Sequence, residues 1–243
     1  MKKLLNKAFF ITGTDTNAGK TEISLALMES FKRRAYQVAG MKPIACGGVN
    51  TQQGLQNEDA SRIRDAISPE FWSRSGWKTQ QTQYAAVNPY MFKIPVAPHI
   101  AAEQENIEIN ISFIQAKFHQ IKNNADVTIV EGVGGWQVPI NRQQTMQDLV
   151  RELQIPVIMT VGVKLGAINH SLLTYQAIQN AGLNCCAWVA TVLAPDMSCL
   201  DENILALTEK FTCPCLAVIP HLSAPVQTSD IADCLDIDLL LSD

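Results

Sequence analysis

One segment of the chain carries the glycines, the lysine and the threonine that proteins use to bind phosphate groups. It spans residues 13–21, G-T-D-T-N-A-G-K-T, and stands between an apolar stretch and an amphipathic one. In such a loop the backbone N–H groups approach phosphate oxygens, and the following helix N-terminus adds partial positive charge. Lys20 can then reach the β- and γ-phosphates, while the Thr21 hydroxyl suits Mg²⁺. A tight turn that contains Gly-Lys-Thr by chance is the alternative, and the flanking strand and helix favour the phosphate loop.

A second segment, D-V-T-I-V-E-G-V-G-G at residues 126–135, delivers an acidic residue at the end of a buried strand. In a sheet that also carries a phosphate loop, Glu131 is placed to hold Mg²⁺ directly or through water. The glycines after it allow backbone contact with a phosphate or a substrate. A surface glutamate before a flexible turn is the alternative, and the neighbouring phosphate loop favours the metal role.

Two more charged residues lie at the end of the second strand candidate and after it. Lys42 ends V-A-G-M-K-P, residues 38–43, where it can neutralise charge on a transferring phosphoryl group or on a carboxylate. Taken alone, a solvated lysine is the simpler interpretation. Asp59 begins a helix in N-E-D-A, where it either complements the helix dipole or serves as a second Mg²⁺ ligand. The residues by themselves leave both roles open.

A fourth segment, V-G-V-K-L-G-A-I-N-H at residues 161–170, passes from strand to helix through two glycines. The amides of residues 166–169 could bind an anion such as a substrate carboxylate. A plain strand–helix turn explains the pattern equally well.

The elements that position these segments alternate between apolar strands and amphipathic helices. Strands are predicted at residues 8–12, 38–43, 126–130, 156–161, 185–192 and 215–219. Helices are predicted at residues 20–34, 59–67 and 111–122, and in the segment that carries Ile168, Leu172, Tyr175 and Ile178 and ends at Gly182. Residues 68–82, with Trp72 and Trp77 among polar residues, are predicted to be an irregular insertion or a lid.

Strands that are apolar throughout are buried on both faces, and helices join them here. The pattern predicts an α/β fold in one domain over residues 1–243, with a mostly parallel sheet of about seven strands and helices on both faces. Ligands bind such a sheet at the carboxyl ends of its strands.

Composition narrows the class of protein. Of the 243 residues, 47% are hydrophobic and 17% charged, which favours a sizeable core over disorder. The net charge of −4 and the pI near 5.6 give no basic surface for nucleic acid. The apolar stretch after the basic start is too short for a signal peptide, and no stretch has the length of a membrane helix. The expected compartment is therefore the cytoplasm.

The seven cysteines are odd in number and irregular in spacing, which argues against a disulfide framework. Cys213-Pro-Cys215 is compatible with a metal or redox pair, but no second pair faces it in the sequence. We expect buried structural thiols at the six cysteines other than Cys46.

Taken together, these segments resemble the dethiobiotin synthetase family. The family shows G-T-D-T-x-x-G-K-T, in which five residues separate the two glycines instead of the usual four. It then shows G-x-K-P, N-x-D-A, E-G-x-G-G and V-G-V-K-L-G-x-I-N-H, and all occur here in that order. V-N-P-Y at residues 87–90 and Pro98-His99 match as well. Only residues 66–82 and the C-terminal tail have no counterpart.

The resemblance implies a homodimer of P-loop NTPase-like chains that closes a ureido ring with ATP. The diamine 7,8-diaminononanoate reacts with CO2 to give a carbamate on one amine. The carbamate oxygen attacks the γ-phosphorus of ATP and forms a carbamic–phosphoric anhydride. The second amine then attacks the activated carbonyl, expels phosphate and gives dethiobiotin.

The resemblance also implies roles for individual residues. Those that bind the nucleotide are Asn17, Ala18, Gly19, Lys20, Thr21, Glu22, Asp59, Glu131, Gly132, Val133, Gly134, Thr191, Pro220, His221 and Leu222. Those that bind the substrate are Thr16, Lys42, Cys46, Gly166, Ala167, Ile168 and Asn169, the last four from the partner subunit. Thr21, Asp59 and Glu131 are the implied Mg²⁺ ligands, and Lys42, Lys20 and Thr16 the implied catalytic residues.

Three positions depart from the family pattern. Cys46 replaces a serine, and a thiol is the weaker hydrogen-bond partner. Asn17 replaces a glutamate. Thr191-Val192 replaces Asn-Asp, in which the asparagine reads adenine. Since threonine lacks the paired donor and acceptor of an amide, we expect looser base selectivity, with residues 220–222 supplying what purine recognition remains.

Other nucleotide-binding classes fit the sequence less well. A GTPase switch should show N-K-x-D, but Asn6-Lys7 lies ahead of the first strand. A partitioning ATPase should carry a second lysine early in the phosphate loop, where this chain has Thr14, Asp15 and Thr16. A small-molecule kinase would use an arginine-rich lid, for which Arg62, Arg64 and Arg74 are weak candidates.

Overall fold

The computed structural model describes residues 6–221 and 227–241. Ten strands lie in the described residues: β1 Lys7–Gly13, β2 Val38–Met41, β3 Ile44–Cys46, β4 Val49–Thr51, β5 Gly54–Gln56, β6 Tyr90–Phe92, β7 Val127–Glu131, β8 Val157–Val163, β9 Cys185–Val192 and β10 Cys215–Ile219. The α-helices of the same residues are α1 Lys20–Arg33, α2 Glu58–Asp65, α3 Pro69–Ser75, α4 Gln80–Val87, α5 Pro98–Gln104, α6 Ile111–Lys122, α7 Met146–Leu153, α8 Ala167–Asn180, α9 Leu200–Lys210 and α10 Thr228–Cys234, followed by a 3₁₀ turn at Ile237–Leu240.

The central sheet is parallel, with the strand order β10-β9-β8-β1-β7-β2. Every residue of β7 and β8 is buried, which requires cover on both faces of the sheet, and helices supply it. The predicted α/β fold is therefore confirmed, with six strands in the central sheet where about seven were expected. Two small two-stranded pairs, β3 with β6 and β4 with β5, lie outside it.

The order of the strands decides where the chemistry-bearing segments meet. β1 lies between β7 and β8, and β2 lies on the far side of β7. Because the strands are parallel, the ends of β1, β2 and β7 share one edge of the sheet. That edge carries the loop at residues 13–21, then Lys42 and then Glu131.

Residues 68–82 are not irregular as predicted, since they contain α3 and the start of α4. Ser68 caps α3 by accepting a hydrogen bond from the Phe71 amide, and Pro69 stands in its first turn, where its fixed φ suits the helix. Phe71 and Trp72 are buried, and Phe71 stacks on Trp77 with ring centroids 6.3 Å apart. The aromatic side chains thus anchor two short helices to the core.

Two other expectations need correction. Lys42 and Pro43 follow β2 rather than belonging to it, since the strand ends at Met41. Among the cysteines expected to be buried, Cys199 and Cys234 are exposed and Cys185 alone of the six is fully buried. Gly182, at φ 72°, does end α8 as predicted.

Among the residues that the structure describes, no helix combines the length and the apolar character needed to cross a membrane.

Candidate active site

The loop after β1 depends on a glycine with positive φ for its conformation, and its carbonyl groups surround the ammonium of a lysine. Gly19 has φ 86°, and a Cβ atom there would lie 3.0 Å from the Thr191 methyl carbon, so a larger residue would be strained. Lys20 begins α1, and its Nζ donates to the carbonyl oxygens of Asp15 at 2.9 Å and Thr16 at 2.8 Å. The ammonium is therefore held inside the curve of the loop.

Burial lowers the pKa of Lys20 to about 8. Only 5% of this residue is exposed, so its charge is poorly solvated. A polyanion beside it would supply the missing stabilisation, as expected of the lysine in a phosphate loop.

Four side chains from separate elements meet next to this loop. The Thr21 hydroxyl donates to Glu131 Oε1 at 2.9 Å, and the Lys42 Nζ donates to Asp59 Oδ2 at 2.9 Å and to the same Glu131 oxygen. Glu131 and Lys42 are 1% and 5% exposed, so neither is the solvated side chain that the simpler interpretations described. The structure therefore brings together the loop and the three charged residues that the sequence singled out.

The charges in this cluster stabilise one another. Burial works against the charged form of Lys42, but Glu131 and Asp59 outweigh it and raise its pKa. Lys42 in turn lowers the pKa of Asp59 against the effect of burial. Lysine and carboxylate are consequently both ionised at neutral pH.

The same cluster fits a magnesium ion. Glu131 Oε2 is buried without a hydrogen-bond partner, an unusual state for a carboxylate oxygen. Carboxylate and hydroxyl oxygens are the donors that Mg²⁺ prefers. Within the described residues no group of three His, Cys, Asp or Glu side chains could hold a metal ion alone. Nucleotide phosphates and water would thus have to complete the coordination, as is usual for Mg²⁺.

A cavity of about 360 Å³ opens onto these groups. Its lining residues come from the phosphate loop, the ends of β2, β3 and β7, and the start of α2: Thr16, Asn17, Gly19, Lys20, Thr21, Glu22, Lys42, Cys46, Asn57, Asp59, Glu131, Val133 and Gly134. Most of the predicted nucleotide- and substrate-binding residues therefore line the same cavity.

Two residues that position this site were missed in the sequence. Asn57 caps α2, accepting a hydrogen bond from the Ala60 amide, and thereby fixes the turn that presents Asp59. Asn88 is buried, and its side-chain amide donates to the Lys42 carbonyl at 2.6 Å. In the sequence, the position of Asn57 just before a helix indicated its capping role. For Asn88 the only indication was the motif V-N-P-Y.

Other predicted site residues lie outside the cavity. Ala18 is buried, and its carbonyl accepts a hydrogen bond from the Thr191 hydroxyl at 2.8 Å. Gly132 lies against the ring of Phe10. Pro220 and His221 follow β10, and Leu222 falls outside the described residues.

The turn at residues 166–169 is likewise not among the described residues that line the cavity. Gly166 caps α8 with φ 92°, and just before it Lys164 pairs with Asp15 at 2.9 Å. Within one chain, the structure does not bring this turn to the triphosphate side of the loop.

The three arginines considered for a kinase lid do not converge. Arg62 forms two hydrogen bonds to Glu22, at 2.6 and 2.9 Å. Arg64 pairs with Asp65 at 2.8 Å, and Arg74 contacts Gln37. Since each has a different partner, they do not form an arginine cluster over the cavity.

Comparison with known proteins decides the family. A family model described as an AAA domain matches residues 7–228. An ATP-dependent dethiobiotin synthetase from Cellvibrio japonicus is 42% identical to this chain, covering 97% of this chain and 98% of its own length. The corresponding protein from Yersinia pestis is 41% identical, with coverage of 97% and 96%. The chain belongs to the dethiobiotin synthetase family.

Membership in the dethiobiotin synthetase family confirms that the chain is an ATP-dependent ligase that forms C–N bonds, and not a GTPase switch or a partitioning ATPase. Solved structures agree on the fold: MinD from Pyrococcus horikoshii, solved with Mg-ADP, covers 98% of this chain with a TM-score of 0.56 at 11% identity. A ParA family ATPase from Chlorobium tepidum covers 93% with a TM-score of 0.54 at 12% identity. At such low identity the likeness extends to the P-loop NTPase-like fold alone.

Cys46, which lines the cavity, is expected to be unreactive. Burial raises the pKa of Cys46 to about 11, so its thiol stays protonated below that pH. At pH 8 we expect iodoacetamide to alkylate Cys46 about 10²-fold more slowly than the exposed Cys199 and Cys234, with the rate rising toward pH 11. Peptide mass spectrometry over time measures all three in one sample. Equal rates at pH 8 would refute the expectation.

Proposed function

We propose that this chain converts 7,8-diaminononanoate, CO2 and ATP into dethiobiotin, ADP and phosphate. The observation that carries the proposal is the cavity where the phosphate-loop groups Lys20 and Thr21 adjoin the buried Lys42–Glu131 pair. A triphosphate held by the loop would place its γ-phosphate near the Lys42 ammonium. The relatives named as ATP-dependent dethiobiotin synthetases agree with this reaction.

In the proposed mechanism the protein holds charges rather than forming bonds. The amides of residues 17–21 and the Lys20 ammonium bind the phosphates. Thr16 contacts the diamine, one amine of which has taken up CO2 as a carbamate and lost a proton. Lys42 neutralises the carbamate and the γ-phosphate, so that the carbamate oxygen attacks phosphorus while ADP leaves. The second amine then attacks the carbonyl carbon, and phosphate leaves as the ring closes.

Thr21, Asp59 and Glu131 would hold the magnesium ion of the nucleotide. When bound, it supplies positive charge to the β- and γ-phosphate oxygens. Lys42 now bridges Asp59 and Glu131. As a mobile ammonium it can turn toward the incoming carbamate while both carboxylates face the metal.

The remaining site would come from a second copy of the chain, as a cytoplasmic homodimer. Leu165, just before the turn at residues 166–169, is 96% exposed, and Leu173 on α8 is 58% exposed. We infer that these two leucines belong to the surface that the partner covers. A partner bound there would carry the amides of the turn to the substrate carboxylate.

Product analysis tests the function. Protein is incubated with the diamine, ¹³C-bicarbonate and Mg-ATP, and we expect dethiobiotin with one ¹³C atom together with phosphate. Omitting the diamine should abolish phosphate release, and Lys20→Ala is the matched inactive chain. Phosphate release that does not need the diamine would point to an ATPase instead.

Base selectivity is expected to be loose. The Thr191 hydroxyl is engaged by the Ala18 carbonyl, so it braces the phosphate loop instead of facing a base. We expect kcat/KM for ATP, GTP and CTP to agree within about tenfold, the discrimination that one hydrogen bond provides. A strong preference for ATP would refute this.

Two variants distinguish the role of the Thr191–Ala18 hydrogen bond in supporting the loop from a role in base recognition. Thr191→Val removes the hydroxyl at nearly constant shape; KM should rise for all three nucleotides while their ratios stay unchanged. Thr191→Asn introduces an amide, which should favour ATP. A change of the ratios in Thr191→Val would show that the hydroxyl itself reads the base.

A further inference from the structure

Two thiols that are distant in sequence lie beside each other at the amino ends of β9 and β10. The Cys213 thiol donates to Cys185 Sγ at 3.8 Å. Cys185 is the first residue of β9, and Cys213 lies in the turn before β10. The sequence showed only the spacing Cys213-Pro-Cys215, whereas the facing thiol comes from the neighbouring strand.

The turn that carries Cys213 is fixed on both sides. The Trp188 amide donates to the Pro214 carbonyl at 3.0 Å, which ties the turn to β9. The Tyr175 hydroxyl bonds to Thr212 Oγ1 at 2.7 Å and accepts from the Thr212 amide. The fold therefore keeps the two sulfur atoms next to each other.

The other cysteines of the region face elsewhere. Cys186 follows Cys185 at a shift in the register between β8 and β9, and its thiol donates to the Val157 carbonyl at 3.4 Å. The Cys215 thiol donates to the Ala217 carbonyl at 3.3 Å. Among the described residues, the pairing geometry selects Cys185 and Cys213.

The two thiols of the pair are not equivalent. Cys185 is buried, whereas Cys213 is half-buried and within reach of a small reagent. When Cys213 is the thiolate it accepts this hydrogen bond from the Cys185 thiol, which lowers the pKa of Cys213 and raises that of Cys185. Cys213 is therefore the thiol that loses its proton first and becomes the nucleophile.

We propose that Cys185 and Cys213 form a reversible disulfide when the protein meets a hydroperoxide. With hydrogen peroxide as the oxidant, the Cys213 thiolate attacks one oxygen and breaks the O–O bond, giving a sulfenic acid and a hydroxide that takes up a proton to become water. The Cys185 sulfur then displaces the hydroxyl, which leaves as a second water with the remaining thiol proton. Both thiols together lose two electrons, and the peroxide gains them.

The required movement is small. The sulfurs must close from 3.8 Å to about 2.05 Å, which side-chain rotation supplies. The bond would close the loop at residues 185–213 and restrict the unfolded chain. Thr191 lies at the other end of β9, about 20 Å away at the rise of a strand, so nucleotide binding should not change.

The test uses the full chain with Cys199→Ser and Cys234→Ser, which removes the exposed thiols. Treated with hydrogen peroxide and digested without reductant, it should yield the Cys185–Cys213 linked peptides, and dithiothreitol should release them. The melting temperature should rise by about 5 °C on oxidation, with the affinity for Mg-ATP unchanged within twofold. Adding Cys213→Ser should abolish the linked peptides and the rise together.

Several results would overturn the proposal. One is a linkage from Cys213 to Cys186 or Cys215 in place of Cys185. Another is oxidation of Cys213 to sulfinic acid with no linked peptide. Peptide mapping of the chain that retains both thiols decides the matter even if Cys213→Ser fails to fold.

Discussion

Lys20→Ala is expected to abolish turnover, with kcat/KM lowered by about 10³-fold or more. Lys20 Nζ is held within the loop by the Asp15 and Thr16 carbonyls and is the buried cation next to the proposed phosphate position. Without it the phosphates face carbonyl oxygens and the carboxylate of Glu131. We therefore expect the loss to appear as nucleotide binding too weak to detect by calorimetry, with no product at any ATP concentration.

Controls separate lost charge from a damaged loop. Lys20→Met keeps the apolar stem but removes the ammonium, and it should be as inactive as Lys20→Ala. Lys210→Ala, at an exposed position at the end of α9, should behave as the unaltered chain. Normal nucleotide affinity in Lys20→Met would contradict the assigned role.

Lys42→Ala is expected to lower kcat/KM by about 10²–10³-fold while nucleotide affinity changes little. Lys42 is bound to Asp59 and Glu131 and not to the phosphate loop. Removing it leaves the buried Glu131 and the half-buried Asp59 without their cation, but the magnesium ion of the nucleotide can neutralise them. The variant loses the positive charge that neutralises the transferring phosphoryl group, and this charge matters more in the transition state than in the bound state.

The measurement is a pair of constants for each variant: the Kd for Mg-ATP and kcat/KM for the diamine. Lys20→Ala should lose both, whereas Lys42→Ala should lose only the second. Lys42→Arg restores charge at a different reach and should recover part of the rate. Equal loss of nucleotide affinity in Lys20→Ala and Lys42→Ala would contradict this division of roles.

The sequence was sufficient for the phosphate loop, the fold class and the family, because each is written in contiguous residues. The loop is a single stretch of nine residues with one physical purpose, and helix α6 was predicted with its observed bounds. The parallel sheet was predictable because its strands are apolar throughout, without the alternation of apolar and polar residues that a strand with one solvated face shows.

The sequence was not sufficient where burial depends on distant elements. Lys42 looks like a solvated residue until β2 is known to lie beside β7, which brings Glu131 against it. Thr191 contacts Ala18 across 173 positions, so no local pattern announces the brace. The helices near Trp72 were missed because their hydrophobic residues are few and lack a clear period.

The central place of β1 in the sheet also bears on synthesis at the ribosome. Both neighbours of β1 are encoded far downstream, since β7 ends at residue 131 and β8 at residue 163. A nascent chain that has exposed only its first hundred residues offers β1 no strand to pair with. The apolar surface of β1 must therefore wait for more than half of the polypeptide before its strand can pair in the sheet.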